Sequence, residues 1–219
     1  MKYITASEAA EWPDLYRRTF FNTVHGPKSL HLVATMGSAS LQNLAPFNSV
    51  VHIQANPPHI GLVMRPHTVP RHTLENLLEQ PFCTFNQMPA AYAAQAHQTS
   101  AQYAKPVNEC QEVGLTQDYR NDFKVPYVKE ALIGLGAELV ERHTIAVNQT
   151  LFLVFQVHEL WIDEALVRPD GFVDHAAGNV LGAIGLDAYY TPEWQSRYAF
   201  ARPGQPTTEL PPDHTWPEG

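Results

Sequence analysis

Eighteen prolines against twelve glycines are the feature that most restricts how this chain can fold. Proline has no N–H to donate and a fixed φ, so it interrupts helix interiors and central strands. Here it punctuates short apolar stretches, at Pro46, Pro57-Pro58, Pro66, Pro70, Pro81 and Pro89. Between these breaks the pattern has period two. Leu30, Leu32, Ala34 and Met36 fall on one face and His31, Val33 and Thr35 on the other, which is a strand signal. Leu41 to Ala45, Ser49 to Ala55 and the stretch carrying Ile60, Leu62 and Met64 follow, with Pro46 expected to separate the first two. Four short strands at a spacing of about ten residues predict a barrel or sandwich.

Helical signals are fewer and short. Thr5 and Glu8 have capping-box spacing, and Pro13 can open a second segment through Leu15 and Phe20. His72 to Gln80 places Leu74, Leu77 and Leu78 on one side, and Pro89 opens an alanine-rich helix ending near His97. Thr99 and Gln102 repeat the capping spacing, and residues 106–126 read as an irregular surface excursion. Ala131 to His143 and Thr150 to Asp163 read as one long hairpin, with a turn at Asn148-Gln149. Thr191-Pro192-Glu193 predicts a last helix through Trp194 and Tyr198. The expected organisation is one domain over residues 1–200 with a helical lead-in, then a Pro-rich tail over 201–219.

Composition excludes several classes. Apolar residues make up 44% of the 219, enough for a core, while charged residues are only 16%, against about 25% in an average globular protein. A net charge of −8, with no basic run longer than Arg17-Arg18, gives no footprint for nucleic acid. Apolar runs such as Leu151 to Phe155 fall far short of the ~20 residues of a membrane-spanning helix. Two cysteines, Cys83 and Cys110, cannot form a disulfide framework. With no secretory signal in the first residues, a cytoplasmic address is expected.

Eleven histidines invite a metal, but no His-Glu-x-x-His or Cys-x-x-Cys pair occurs, and His67 and His72 are five apart, a spacing that is no ligand motif. No metal site is expected. The Gly-x-Ser-x-Gly elbow, the P-loop and a complete dinucleotide fingerprint are all missing. Two segments are more suggestive. Arg65 leaves a strand as a fork-shaped cation, and Thr73 stands near a helix start whose free amides point outward, a combination suited to a phosphate monoester. A solvated surface arginine is the competing reading. Asn43, Asn48 and Ser49 set short polar groups beside Phe47, a mixture suited to the edge of a flat heterocycle. An ordinary strand crossing with turn-forming asparagines explains the same residues.

Taken in order, Leu30 to Met36, Asn43 to Phe47, Asn56 to Gly61, His72 to Leu77, His97 to Ala101, Glu112 to Leu115 and the glycine-rich end from Leu181 to Tyr190 form a series. That series resembles the flavin reductase-like family with its FMN-binding split barrel. The resemblance implies a mainly β fold with peripheral helices (α+β) and a homodimer holding FMN near the subunit interface. It implies that Asn43, Leu44, Ala45, Phe47, Asn48 and Ser49 border the ring, and that Arg65, His72 and Thr73 reach the phosphate. Thr99, Ser100 and Ala101 would close the other side, and Asn76 would brace the helix or loop. Family members often carry serine at the position of Asn48, an aromatic at Ser49 and asparagine at Val51.

In such reductases the flavin takes hydride from NADH or NADPH while the protein supplies position and solvent exclusion. No catalytic side chain is nominated, since His52, His97 and His158 read more readily as structurally satisfied than as proton donors. The leading expectation is an NAD(P)H-dependent flavin oxidoreductase. A flavoredoxin-like electron carrier without nicotinamide activity and a non-redox ligand-binding barrel are the alternatives.

Overall fold

The computed structural model describes residues 1–66 and 68–216, so His67 and the last three residues of the tail lie outside the described residues. The chain opens with α1 (Ala6–Ala10) and α2 (Asp14–Thr23), then β1 (Lys28–Ser29), β2 (His31–Met36), β3 (Gln42–Phe47), β4 (Val50–Ala55) and β5 (Pro58–Met64). Next come α3 (His72–Glu79), β6 (Phe82–Gln87), α4 (Ala93–Gln98), α5 (Glu109–Glu112), β7 (Gln117–Asp118) and β8 (Tyr127–Val128). The long pair β9 (Ile133–Ile145) and β10 (Thr150–Ile162) precedes β11 (Gly182–Ile184) and β12 (Ala188–Tyr190).

Seven strands form one antiparallel sheet in the order β3-β2-β6-β9-β10-β5-β4. Its two outermost strands, β3 and β4, are consecutive in the chain and joined only through Asn48 and Ser49. A linker that short spans about 10 Å, so the sheet must curl until its edges nearly meet, giving a barrel split along one seam. Ser49 pins the seam to β5, its carbonyl accepting from Val63 N–H at 3.2 Å and its hydroxyl donating to Val63 O at 2.6 Å.

The inward positions follow the alternation in the sequence. Val33, Leu62, Met64, Phe85, Leu153 and Phe155 fill the barrel, and Leu74 and Leu77 of α3 close it. Phe85 and Phe155 meet edge-to-face with centroids 5.2 Å apart. The other face of β2 and β3 is buried as well, because Leu32, Ala34 and Leu44 pack with Ala96, Cys110 and Leu181 from the peripheral segments. β2 is therefore covered on both sides, which is why His31 and Thr35 are buried along with its apolar residues.

Four local expectations need correction. Pro46 does not end β3, which runs through to Phe47; on an edge strand the missing N–H can face away from the neighbour and breaks no ladder bond. Thr99 stands in a turn but caps nothing with Gln102: its hydroxyl donates back to Ala96 O at 2.7 Å, and the turn continues from the end of α4. The 106–126 excursion contains α5, capped by Asn108, and the short strand β7. Thr191 to Tyr198 is not helical. There the side chain of Arg197 pairs with Asp170, and Tyr198 forms an isolated antiparallel bridge with Glu209 of the tail. Among the described residues no helix is long and apolar enough to cross a membrane.

Candidate functional site

β3, the N-terminal end of α3 and the turn after α4 enclose a cleft of about 600 Å³. One wall is apolar, formed by Ala45, Pro46, Phe47 and Met64. The start of α3 adds Arg71, His72 and Thr73 to the lining, and the segment after α4 adds Thr99, Ser100, Ala101 and Tyr103.

α3 is held rigidly enough to aim its first turn. Its amphipathic face buries Leu74 and Leu77, and its far end is bonded to the β2–β3 loop. Glu79 Oε2 accepts from Ser38 N–H at 2.9 Å and from the Ser38 hydroxyl at 2.7 Å, and Gln80 Nε2 donates to Gly37 O at 3.1 Å. Asn76 Nδ2 donates to Thr35 Oγ1 at 3.2 Å and to Leu41 O at 3.3 Å, a brace between helix, strand and loop. A Cβ at Gly37 would stand 2.9 Å from Asn76 Oδ1, so a larger residue there would have to displace this brace. At the helix start Arg71 N–H donates to Glu75 Oε1 at 3.2 Å and Arg71 Nε to Pro66 O at 2.9 Å. The amides of His72, Thr73 and Leu74 precede the first intrahelical bond and have no intrahelical acceptor.

Behind this first turn lies a buried polar chain. Asn43 stands between Thr73 and Glu109, its amide 2.9 Å from Thr73 Oγ1 on one side and 3.3 Å from Glu109 Oε1 on the other. Opposite a carboxylate the amide nitrogen must face Glu109, so that its oxygen accepts the Thr73 hydroxyl. Glu109 Oε2 also accepts Leu44 N–H at 3.0 Å, capping an outward amide of the edge strand. Only 4% exposed, Glu109 has its carboxyl pushed above the ordinary range by burial, against the pull of the Leu44 amide and of His72.

Of the residues expected at the site, Asn43, Ala45, Phe47, His72, Thr73, Thr99, Ser100 and Ala101 line the cleft together. Leu44, Asn48, Ser49 and Arg65 are outside its lining. Leu44 points into the opposite core, Asn48 Nδ2 donates to Gly185 O at 2.6 Å, Ser49 serves the seam, and Arg65 is exposed. Arg71 and Glu109 were not foreseen. The spacing of Arg71 and Glu75 about a helix start offered a signal for the first. For Glu109 the sequence held none beyond the capping asparagine before it. Among the histidines, His52 is exposed, His97 Nδ1 meets the Tyr189 hydroxyl at 2.8 Å and His158 Nε2 meets Glu138 Oε2 at 3.0 Å.

A family model described as flavin reductase like domain matches residues 25–177. The chain belongs to the flavin reductase-like family. Its fold agrees: a Shewanella frigidimarina protein assigned as a flavin reductase with a split-barrel domain superposes with a TM-score of 0.88 at 35% identity, over 92% of this chain and all of that one. An FMN-binding protein from Thermus thermophilus matches with a TM-score of 0.70 at 20% identity, covering 92% of this chain and 100% of its own. Flavoredoxin of Desulfovibrio vulgaris follows at 0.68 and 21%, covering 80% and 92%. These last two likenesses speak for the split-barrel fold, and the family membership places the chain in flavin-related redox chemistry.

The residues present fit a flavin mononucleotide. The cleft lies within the ~300–1,000 Å³ of small-ligand sites. Its lining also combines the apolar Ala45, Pro46, Phe47 and Met64 with a helix start carrying an arginine, a histidine and a hydroxyl, a set that suits a flat ring and a dianion.

Proposed function

We propose that this chain is an NAD(P)H-dependent flavin oxidoreductase that binds FMN in the β3–α3 cleft and works as a homodimer, with residues 1–200 as its single flavin-binding unit. The observation that carries this reading is the composition of the cleft, whose lining brings Ala45, Pro46 and Phe47 together with Arg71, His72 and Thr73. The Arg71 guanidinium and the first-turn amides of α3 would hold the phosphate. Phe47, Ala45 and Met64 would exclude water from one side of the ring, and the Thr99–Ala101 turn would bound the other. Arg65 is placed in reserve, one residue beyond β5 and exposed to solvent. Bound FMN supplies the two-electron chemistry, accepting hydride from a reduced nicotinamide nucleotide. The side chains position and shield, and no acid or base among them is required.

The dimer is argued from β4 and β5. Five of the six residues of β4 are exposed. Val51 at 46% and Val63 at 38% share an outward face with Phe152, since Val63 and Phe152 are cross-strand partners. A Cβ on Gly61 would touch both Phe152 and Val51. An exposed apolar edge of this kind is a surface that proteins cover, and a second copy of the chain is the proposed cover. Two buried free cysteines accord with a reducing, cytoplasmic setting.

The test mixes the purified protein with NADH or NADPH and added FMN and follows nucleotide absorbance. Oxidation of either nucleotide supports the reductase. No oxidation, with FMN nevertheless bound, favours an electron carrier of the flavoredoxin kind. A colourless protein that leaves FMN fluorescence unchanged would reject both and leave a non-redox barrel.

A further inference from the structure

We propose that Glu109 is a proton-linked switch that sets the hydrogen-bond direction of the Asn43–Thr73 pair, and so decides whether the Thr73 hydroxyl can donate to the phosphate of a flavin. The proposal rests on the reading that the cleft holds FMN, and it deepens that reading from the buried groups behind the first turn of α3.

The argument is one of counting hydrogens. An ionised carboxylate only accepts, a carboxylic acid has one hydrogen to give, a hydroxyl has one, and an amide side chain presents an acceptor at one tip and a donor at the other. With Glu109 ionised, Asn43 Nδ2 donates to Glu109 Oε1 at 3.3 Å, and Asn43 Oδ1 takes the Thr73 hydroxyl hydrogen at 2.9 Å. That hydrogen is then committed inward, and Thr73 Oγ1 shows only lone pairs to the cleft. With Glu109 protonated, the acid donates to Asn43 Oδ1 and the amide turns over. Asn43 Nδ2 then donates to Thr73 Oγ1 at 2.9 Å, and the Thr73 hydrogen is free to turn outward. Leu44 N–H donates to Glu109 Oε2 at 3.0 Å and fixes the carboxyl in place; in the ionised state the same N–H also lies 3.3 Å from Asn43 Oδ1, a contact the acid state gives up when Nδ2 takes that place. The three side chains are largely buried, Asn43 at 7% exposed, Thr73 at 4% and Glu109 at 4%, while each contributes to the lining of the cleft.

Several titratable groups, and its own backbone N–H, bear on Glu109. His72 acts from α3, Arg71 and Tyr103 share the cleft with it, and Cys110 is its neighbour on α5. From β3 it meets only the Leu44 amide and Asn43. Burial favours its neutral form, so the donating state is present at acidic pH and is lost as pH rises through a titration lying above the ordinary carboxylate range.

The test measures FMN and riboflavin dissociation constants from about pH 5.5 to about pH 8.5 for the wild type, Glu109→Gln, Thr73→Val and the double variant. The phosphate's own second ionisation near pH 6 affects every protein alike and cancels in ratios. Glutamine at 109 mimics the acid, giving its amide hydrogen to Asn43 Oδ1 and accepting Leu44 N–H. The expected result is that the wild type approaches Glu109→Gln in FMN affinity as pH falls and binds more weakly towards alkaline pH, by up to about tenfold, the scale of one hydrogen bond to a charged group. The riboflavin ratio should stay flat. In the Thr73→Val background the drift should vanish, and the Asn43 side-chain amide of the flavin-free protein should shift with pH in the wild type and not in Glu109→Gln by NMR. An FMN ratio independent of pH, a riboflavin ratio with the same drift, or an undiminished drift in Thr73→Val would overturn the switch, the last by assigning the effect to direct repulsion between carboxylate and phosphate. If the wild type binds neither flavin at any pH, the FMN reading fails, while the Asn43 amide titration still decides whether Glu109 controls its orientation.

Discussion

Acidification should destabilise this protein first through its buried imidazoles, His31 above all. His31 lies at the start of β2, 5% exposed, with its ring edge-on to Phe85 and its Nδ1 without a hydrogen-bond partner. Burial, reinforced by nearby His175, lowers its pKa from 6.5 to about 4. The unfolded chain therefore binds a proton that the folded chain refuses, and stability falls as pH drops below about 6.5, levelling near 4. At about 1.4 kcal/mol per pH unit the full loss is about 3 kcal/mol, a large share of the 5–15 kcal/mol typical of a domain. The partner variant is His31→Phe, which keeps a flat ring against Phe85 and removes the orphaned nitrogen. Urea midpoints of both proteins should be compared across about pH 4 to 8. The difference between them should open by about 3 kcal/mol towards acid. Parallel curves would show that His31 is not the titrating group and would refute the linkage argument.

Other perturbations test separate links. Arg71→Ala should weaken FMN by about tenfold or more, the scale of a charge-assisted hydrogen bond, while leaving riboflavin nearly unchanged; Arg65→Ala should have the smaller effect, and the reverse order by equilibrium titration would return the phosphate to Arg65. Gly134→Ala would place a Cβ 2.7 Å from Cδ1 of Tyr127, itself 2% exposed and bonded to Glu159, so overpacking should cost about 1–3 kcal/mol in chemical denaturation. An unchanged midpoint would mean the Tyr127 ring yields freely. Val51→Lys with Val63→Lys should convert a dimer to monomers in sedimentation without lowering the thermal midpoint of the isolated fold, and a dimer that persists would move the interface elsewhere.

The barrel was legible because its signal is local. Alternation in Leu30–Met36, the Pro57-Pro58 turn and the aliphatic run in Leu151–Phe155 each announce a strand without reference to the rest. Pro46 was misread because whether a proline ends a strand depends on whether its nitrogen faces a neighbour, and edge position is a property of the assembled sheet. The cleft was half legible: Asn43, Phe47, His72 and Thr73 stand beside recognisable turns and a helix start. Glu109 was not, since its role comes from contacts with Asn43 and Leu44, more than sixty residues earlier in the chain. The helix expected after Thr191 failed for a related reason, as Arg197 and Tyr198 find distant partners that outweigh local propensity.

Everything proposed for the site requires that the β3–α3 cleft receive a flavin by its phosphate end. Equilibrium titration of the flavin-free protein with FMN and with riboflavin, followed by quenching of flavin fluorescence, measures this directly. Saturation at one FMN per chain, with FMN bound markedly tighter than riboflavin and the margin lost in a variant carrying Arg71→Ala and Thr73→Ala, is the predicted result. Equal affinity for the two flavins, or a margin untouched by that double substitution, would contradict it.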